Sequence, residues 1–450
     1  MDNLFSYKTF RLDDDGQTVY FDYRITRDGQ TYDLREALKF PVKLKADTRQ
    51  QAGLRALHLA LGVSYYKIFV SPHIEHPYRM DAREADFWNS VWQGGLGEFL
   101  YVNKLSPDRL ARFEAQDGAM FAAGTAAGGS GIIMGVGGGK DSAVAGELLK
   151  SAEQRVEGFV MATGEQLGQA KAVADAMGVR LHTVERSIDR QLLALQELPG
   201  AYKGHIPISL IFGLVGTVLA MANGNAYAVV ANEASASIPR IEGEHGPVNH
   251  QWSKSFGFEQ QLQAYVHERV SPDVTYFSAI RQLTSVGVAK VFSGYPQYFE
   301  VFTSDNFVFR MDPAKRPNAR WSLESPKSLS SFILLAPWLS KDDMLRTFGR
   351  DFLDEPSLET LFWELTGQQG EPPLDCVGTV EELVLSLNLL ASQGKFSGSH
   401  LVKLARERGV IAEKDWQSVL KPMLELQPEQ ALPPALAASL DEQLLKELAQ

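Results

Sequence analysis

The chain has 450 residues, a net charge of −11 from 55 acidic and 44 basic side chains, and one cysteine, Cys376. That length exceeds what one hydrophobic core organises and predicts two or three domains, while 44% hydrophobic and 22% charged content is ordinary for a soluble globular chain. One cysteine excludes an internal disulfide and a Cys-rich zinc site, and an acidic chain with no basic stripe argues against nucleic-acid binding.

The N-terminal sequence MDNLFSYKTFRLDDD lacks the apolar core of a signal peptide. With the single cysteine, this predicts a cytoplasmic protein. Residues 1–125 alternate strand-like runs, such as TVYFDYRIT, with helical patterns, such as TRQQAGLRALHLALG, and are expected to form an α+β domain. The stretch AAGTAAGGSG, Ala122 to Gly131, reads as a linker or mobile loop.

From Gly131 the pattern becomes strand–helix repeats: GIIMGV then SAVAGELLKSA, VEGFVMAT then EQLGQAKAVADAM, and VRLHTV. The apolar run IPISLIFGLVGTVLAMA, Ile206 to Ala222, is slightly short for a bilayer span and is read as a buried helix. AYAVVANE, Ala226 to Glu233, is the next strand. Wholly apolar strands alternating with helices predict an α/β domain, residues 126–340, with a parallel sheet covered on both faces. Ligands in such sheets sit beyond the carboxyl ends of the strands. Residues 341–450 read as mostly helical, with a capping box at Thr379–Glu382 and leucines at 436, 440, 444 and 448 on one helix face.

The turn GVGGGKDS, Gly135 to Ser142, joins the first of these strands to its helix. A glycine-rich turn there offers backbone N–H groups and a helix N-terminus to an anion. It fails the Walker A spacing, with Met134 where a glycine is needed and Asp141 after Lys140. It also fails the Rossmann spacing, whose third glycine falls on Lys140. It resembles the PP-loop of ATP pyrophosphatases, Ser-Gly-Gly-x-Asp-Ser, with Gly137 in place of the first serine. The resemblance implies a PP-loop ATP-binding domain in which Gly137, Gly138, Gly139, Lys140, Asp141 and Ser142 hold ATP. Asp141 would repel a phosphate and is assigned to Mg²⁺.

A second dense region, Asn232 to Val270, contains NEASAS, VNHQWSK and FEQQLQAYV. With GHIPIS, GVSYYK, GLGEF, FGRDFLDE and DCVG, these blocks resemble the ATP-dependent UDP-N-acetylmuramoyl-L-alanyl-L-glutamate epimerases over about residues 60–380. The resemblance implies conversion of the terminal L-Glu of UDP-MurNAc-L-Ala-L-Glu to D-Glu in peptidoglycan precursor synthesis. ATP would activate the carboxylate as an acyl-adenylate, with Mg²⁺, and leave as AMP and pyrophosphate. Two departures stand out. Gly137 replaces a serine, and RWSLESPKS carries Ser322, Ser325 and Ser328 where relatives carry cysteines.

Five residues are candidates for the proton-transfer chemistry. His250 and His205 suit it near neutral pH, although each equally serves as a hydrogen-bonding core histidine. Lys254 would bind phosphate or carboxylate, Glu233 a metal or a proton, and Cys376 acts as a thiol acid/base or a small buried hydrophobe. Trp252 either stacks on a base or packs in the core, and Glu259 reads as structural. Lys67, Arg281 and Arg310 are candidate anion clamps. Two alternatives remain open: another PP-loop adenylating enzyme of ligase type, and a protein that binds ATP without turnover.

Overall fold

The computed structural model describes residues 3–116, 128–162, 167–309 and 316–449. Arg310 and most of the Ala122–Gly131 stretch lie outside them. Eleven strands are described: β1 (Leu4–Leu12), β2 (Thr18–Arg27), β3 (Gln30–Lys39), β4 (His73–Glu75), β5 (Ile132–Gly135), β6 (Val156–Ala162), β7 (Leu181–Ser187), β8 (Tyr227–Val230), β9 (Ile241–Gly243), β10 (Gly246–Val248) and β11 (Thr275–Ser278). Nine form one sheet in the order β11-β8-β5-β6-β7-β3-β2-β1-β4, and β9 and β10 form a separate hairpin.

The five strands from β11 to β7 are parallel. β7 pairs antiparallel with β3 through Ala37 and Ser187, which joins the N-terminal meander of β1, β2 and β3 to the same sheet. The burial patterns match these two environments. In β2, Val19, Phe21, Tyr23 and Ile25 alternate inward while their neighbours are only half-buried, as expected of a sheet with one covered face. In β5, Ile132, Ile133 and Met134 are all fully buried.

Successive residues of the central strands feed two cores. Ile133, Phe159, Ala228 and Tyr276 pack with the helices Thr48–Tyr66 and Ile208–Asn223. Ile132, Met134, Val229 and Phe277 pack with Lys140–Ser151, Ser285–Ser293, Pro326–Leu335 and the C-terminal helices. The Ile206–Ala222 run is thus a covered helix, and among the described residues no helix is long and apolar enough to cross a membrane. The C-terminal region is helical, with the expected capping box, and Leu436, Leu440 and Leu444 are buried.

The β3–β7 junction carries a buried ion pair. Arg186 Nε donates to Glu36 Oε1 at 2.5 Å and Nη2 donates to Ser64 Oγ at 3.3 Å, with the pair's side chains 7% and 0% exposed. Glu36→Ala leaves the guanidinium buried without its counter-charge, which costs about 3–5 kcal/mol. Urea denaturation checks this, as a fall in the transition midpoint at unchanged slope.

Candidate active site

The parallel strands run in the order β11-β8-β5-β6-β7. The chain leaves β5 toward β6 and β7, then returns to β8 on the other side of β5. The carboxyl ends of β5 and β8 therefore flank the crevice where this topology reverses, the usual ligand position in such sheets. The glycine turn follows β5 and Asn232–Glu233 follows β8.

Gly138 has φ +88°, and a Cβ there would lie 3.0 Å from the Gln169 carbonyl carbon, so backbone conformation and space both require glycine. Thr303 N–H donates to its carbonyl at 3.0 Å and pins the turn. Gly137 has no such demand, since a Cβ would meet nothing within 4 Å. Gly139 caps the helix Lys140–Ser151 without a side chain, and Ser142 Oγ donates to Gly139 O at 3.0 Å. Lys140 and Asp141 form an ion pair at 2.5 Å.

Glu233 faces this pair. Ser285 Oγ donates to its Oε1 at 2.6 Å, while Oε2 is buried with no partner. Burial raises the Glu233 carboxyl to about 7; Lys140 opposes this, and Asp141 and Glu382 add to it. Glu382 is the capping-box glutamate of Val380–Ser392. Its Oε2 accepts from Thr379 N at 2.7 Å, and its Oε1 accepts from Ser235 Oγ at 2.6 Å and Ser285 N at 2.7 Å.

Lys140, Asp141, Glu233, Lys254, Lys327 and Cys376 line one cleft. Lys254 Nζ donates to Cys376 Sγ at 3.3 Å. Burial raises the thiol, but Lys254, Lys327 and His250 outweigh it and hold Cys376 down to about 6. Behind the thiol, His250 Nδ1 is hydrogen-bonded to Glu98 Oε2, and His205 Nδ1 lies 3.9 Å from the same oxygen. Burial lowers the His250 imidazole, but Cys376 and Glu98 raise it to about 9. Burial, with His250, Lys67 and Lys254 nearby, lowers His205 to about 3. Lys67 is lowered to about 8 by burial against the pull of Glu98, and Nζ donates to Gly204 O.

The structure thus brings the turn, Glu233, Lys254 and Cys376 to one cleft, with His250 and His205 one layer behind. The other sequence candidates have structural placements. Arg281 is 1% exposed, and its fork binds Glu259 Oε2 and the carbonyls of Glu233 and Lys254. It is a tether, paired with Glu259, rather than a free clamp. Trp252 lies over Gly94, where a Cβ would come 2.1 Å from its ring, and packs on Phe258. Ser322 and Ser328 both donate to Asp305 Oδ2, at 2.7 and 3.2 Å, and Ser325 is fully buried beside them. A carboxylate with hydroxyl donors makes that segment a hydrogen-bonded cluster.

Glu98, Glu382, Lys327 and Asp305 were not singled out as site residues from the sequence. Glu98 lies within the GLGEF block, and Glu382 closes the capping box. Lys327 lies within the RWSLESPKS stretch, between Ser325 and Ser328, and Asp305 carried no local signal.

Among the described residues, two groups place metal-ligand atoms within 4.8 Å of one another: Glu98, His205 and His250; and His250, Asp375 and Cys376. Lys67 and Lys254 already supply positive charge there, as their action on His205 shows.

The family model described as the MurL N-terminal domain matches residues 2–279, and the one described as the MurL C-terminal domain matches residues 301–419. The similarity thus extends beyond residues 60–380 in both directions. A protein of Xanthomonas oryzae pv. oryzae, named UDP-N-acetyl-alpha-D-muramoyl-L-alanyl-L-glutamate epimerase, is 34% identical over 394 residues, covering 86% of this chain and 85% of its own. Proteins of the same name from Salinispora tropica and a Micromonospora species are each 30% identical, over 92% of this chain and 90% and 92% of theirs. No solved structure matches. With both family models matched and relatives aligned along most of its length, the chain belongs to the MurL epimerase family.

Proposed function

We propose that the chain converts the terminal L-Glu of UDP-MurNAc-L-Ala-L-Glu to D-Glu, consuming ATP to AMP and pyrophosphate, as a step in peptidoglycan precursor synthesis. The observation that carries this reading is the shared cleft. A phosphate-type glycine turn and a cluster of proton-carrying side chains open onto the same crevice. Binding of ATP without chemistry gives no reason for the second half, and proton transfer alone gives none for the first.

The chemistry explains the pairing. The α-proton of a free carboxylate is barely acidic, because its removal places two negative charges side by side. Joining the carboxylate to AMP removes one of them and makes an enolate accessible; each pKa unit gained is about 1.4 kcal/mol. The backbone N–H groups of the turn and the helix start suit pyrophosphate, with Lys140 for charge. A group of the Cys376, His250 and Lys254 cluster then takes the proton, another acid returns one to the opposite face of the enolate, and water cleaves the acyl-adenylate.

Asp141 and Glu233 fit a magnesium ion, because Glu233 Oε2 is buried without a partner and faces Asp141 and Lys140. Bound there, the ion would neutralise phosphate charge. The substrate is itself anionic, and Lys254, Lys327 and Lys140 give an acidic chain the local positive potential it needs.

Incubation with ATP, Mg²⁺ and UDP-MurNAc-L-Ala-L-Glu in D₂O is expected to place deuterium at the glutamate α-carbon with AMP formation. AMP without deuterium overturns epimerisation in favour of a ligase, and neither product leaves a binding protein. Asp141→Asn is expected to lower AMP release by roughly 10²-fold or more, the scale of one lost electrostatic contact to a transferring phosphoryl group, while the thermal transition holds. Gly137→Ser, filling open space, should keep AMP release within about threefold, whereas Gly138→Ala strains a positive φ, costing about 1 kcal/mol or more, and should reduce it sharply. Steady-state AMP assays on both variants check this.

A further inference from the structure

Glu98, His250 and Cys376 come from three separate segments: the short helix Gly97–Val102, the turn before Trp252, and the loop leading to the Thr379 cap. His250 Nδ1 is bonded to Glu98 Oε2, and Cys376 Sγ lies within 4.8 Å of a nitrogen of the same ring. Lys254 reaches the sulfur from the cleft side at 3.3 Å. A thiol beside an imidazole that is itself held by a carboxylate is the arrangement that activates a sulfur.

We infer that Glu98, His250 and Cys376 form one relay, in which Cys376 as thiolate takes the α-proton of the activated glutamate and Glu98 positions His250 beside it as imidazolium. This rests on the epimerase reading. In the step, the Cα–H bond breaks, an S–H bond forms, and the electron pair moves into the acyl carbonyl. Glu98 is a positioning residue, since it touches the imidazole and not the substrate.

The surrounding charges agree. The thiol is lowered and the imidazole raised, so the charged pair is the resting form between about pH 6 and 9. Lys254 and Lys327 act on the sulfur from the cleft, Asp375 lies within 4.8 Å of it, Arg240 is a further charged neighbour, and His205 and Lys67 face Glu98. His205, held neutral, leaves Glu98 to His250.

Cys376 is the one cysteine of the chain, so alkylation of the full-length protein by iodoacetamide, followed by intact mass from pH 5 to 9, reports this sulfur alone. The wild-type rate should inflect near pH 6. Glu98→Gln and His250→Asn should move the inflection up and slow alkylation at pH 5 about tenfold, the effect of one pKa unit, with Glu98→Asp restoring most of the rate. In Glu98→Gln, α-deuterium incorporation should fall roughly 10²-fold in kcat with the KM for ATP unchanged. Circular dichroism establishes that each variant is folded. An inflection that stays in place in both folded variants overturns the relay, as does a wild-type inflection near the free-thiol value. Stoichiometric zinc in the purified protein, lost in Glu98→Gln, overturns it by making these residues ligands. Alkylation needs neither ATP nor substrate. A shifted inflection in a protein that turns nothing over therefore upholds the charged pair and overturns the reaction, whereas turnover with an unshifted inflection does the reverse.

Discussion

The cleft is held in shape by one buried cation. Arg281 sits just after β11, 1% exposed, and satisfies its fork with Glu259 Oε2 and the carbonyls of Glu233 and Lys254. Those carbonyls belong to the two loops whose side chains line the cleft. Glu259 in turn accepts from the Ser278 N–H at 2.8 Å, which anchors the assembly to the end of β11. An unpaired guanidinium at this depth would cost several kcal/mol, so the two loops and the sheet edge keep one mutual arrangement. The positions of Glu233 and Lys254 relative to the glycine turn follow from that constraint.

Within this frame, the cleft works by alternating charge. Lys140 is set against Asp141 and Glu233, and Lys254 against Cys376. Burial alone would discharge most of these groups. Lys140, Asp141, Lys254 and Cys376 stay ionised because their neighbours do, whereas Glu233 is raised to about 7. An acidic protein thus keeps local positive potential in this cleft, through Lys140, Lys254 and Lys327. The same packing explains why a carboxyl and a thiol only a few side chains apart are driven in opposite directions. At Glu233 burial dominates, with Asp141 and Glu382 adding to it against Lys140, whereas at the thiol the ammonium groups and the imidazolium outweigh burial.

Features encoded locally were legible in the sequence. The turn GVGGGKDS showed its strand, its helix and its lysine–aspartate ending because all of these are consecutive. The covered helix Ile208–Asn223 showed in its run of apolar residues, and Thr379 and Glu382 showed as a capping box. Features that depend on convergence were not. Glu98 meets His250 across 152 positions, and nothing in GLGEF distinguishes its carboxylate from a solvated one. Arg281 reads in sequence as a candidate anion clamp, and its burial follows from Glu259 facing it across the end of β11. Glu382 was legible as a cap but not as a partner of Ser235 and Ser285, because a cap is a local event and those contacts are tertiary. The antiparallel joint between β3 and β7 is likewise set by partners about 150 residues apart, such as Ala37 and Ser187.

That joint also has a bearing on solubility. A parallel sheet ending at β7 would present a row of unmatched amides and carbonyls, an invitation to pair with another molecule. Three antiparallel strands carry the hydrogen-bonding outward from it, and the sheet then stops at β4, three residues long. β3 covers the Glu185–Ser187 end of β7 and β4 the Leu4–Ser6 end of β1, so both strands are paired at these ends rather than open to a second chain.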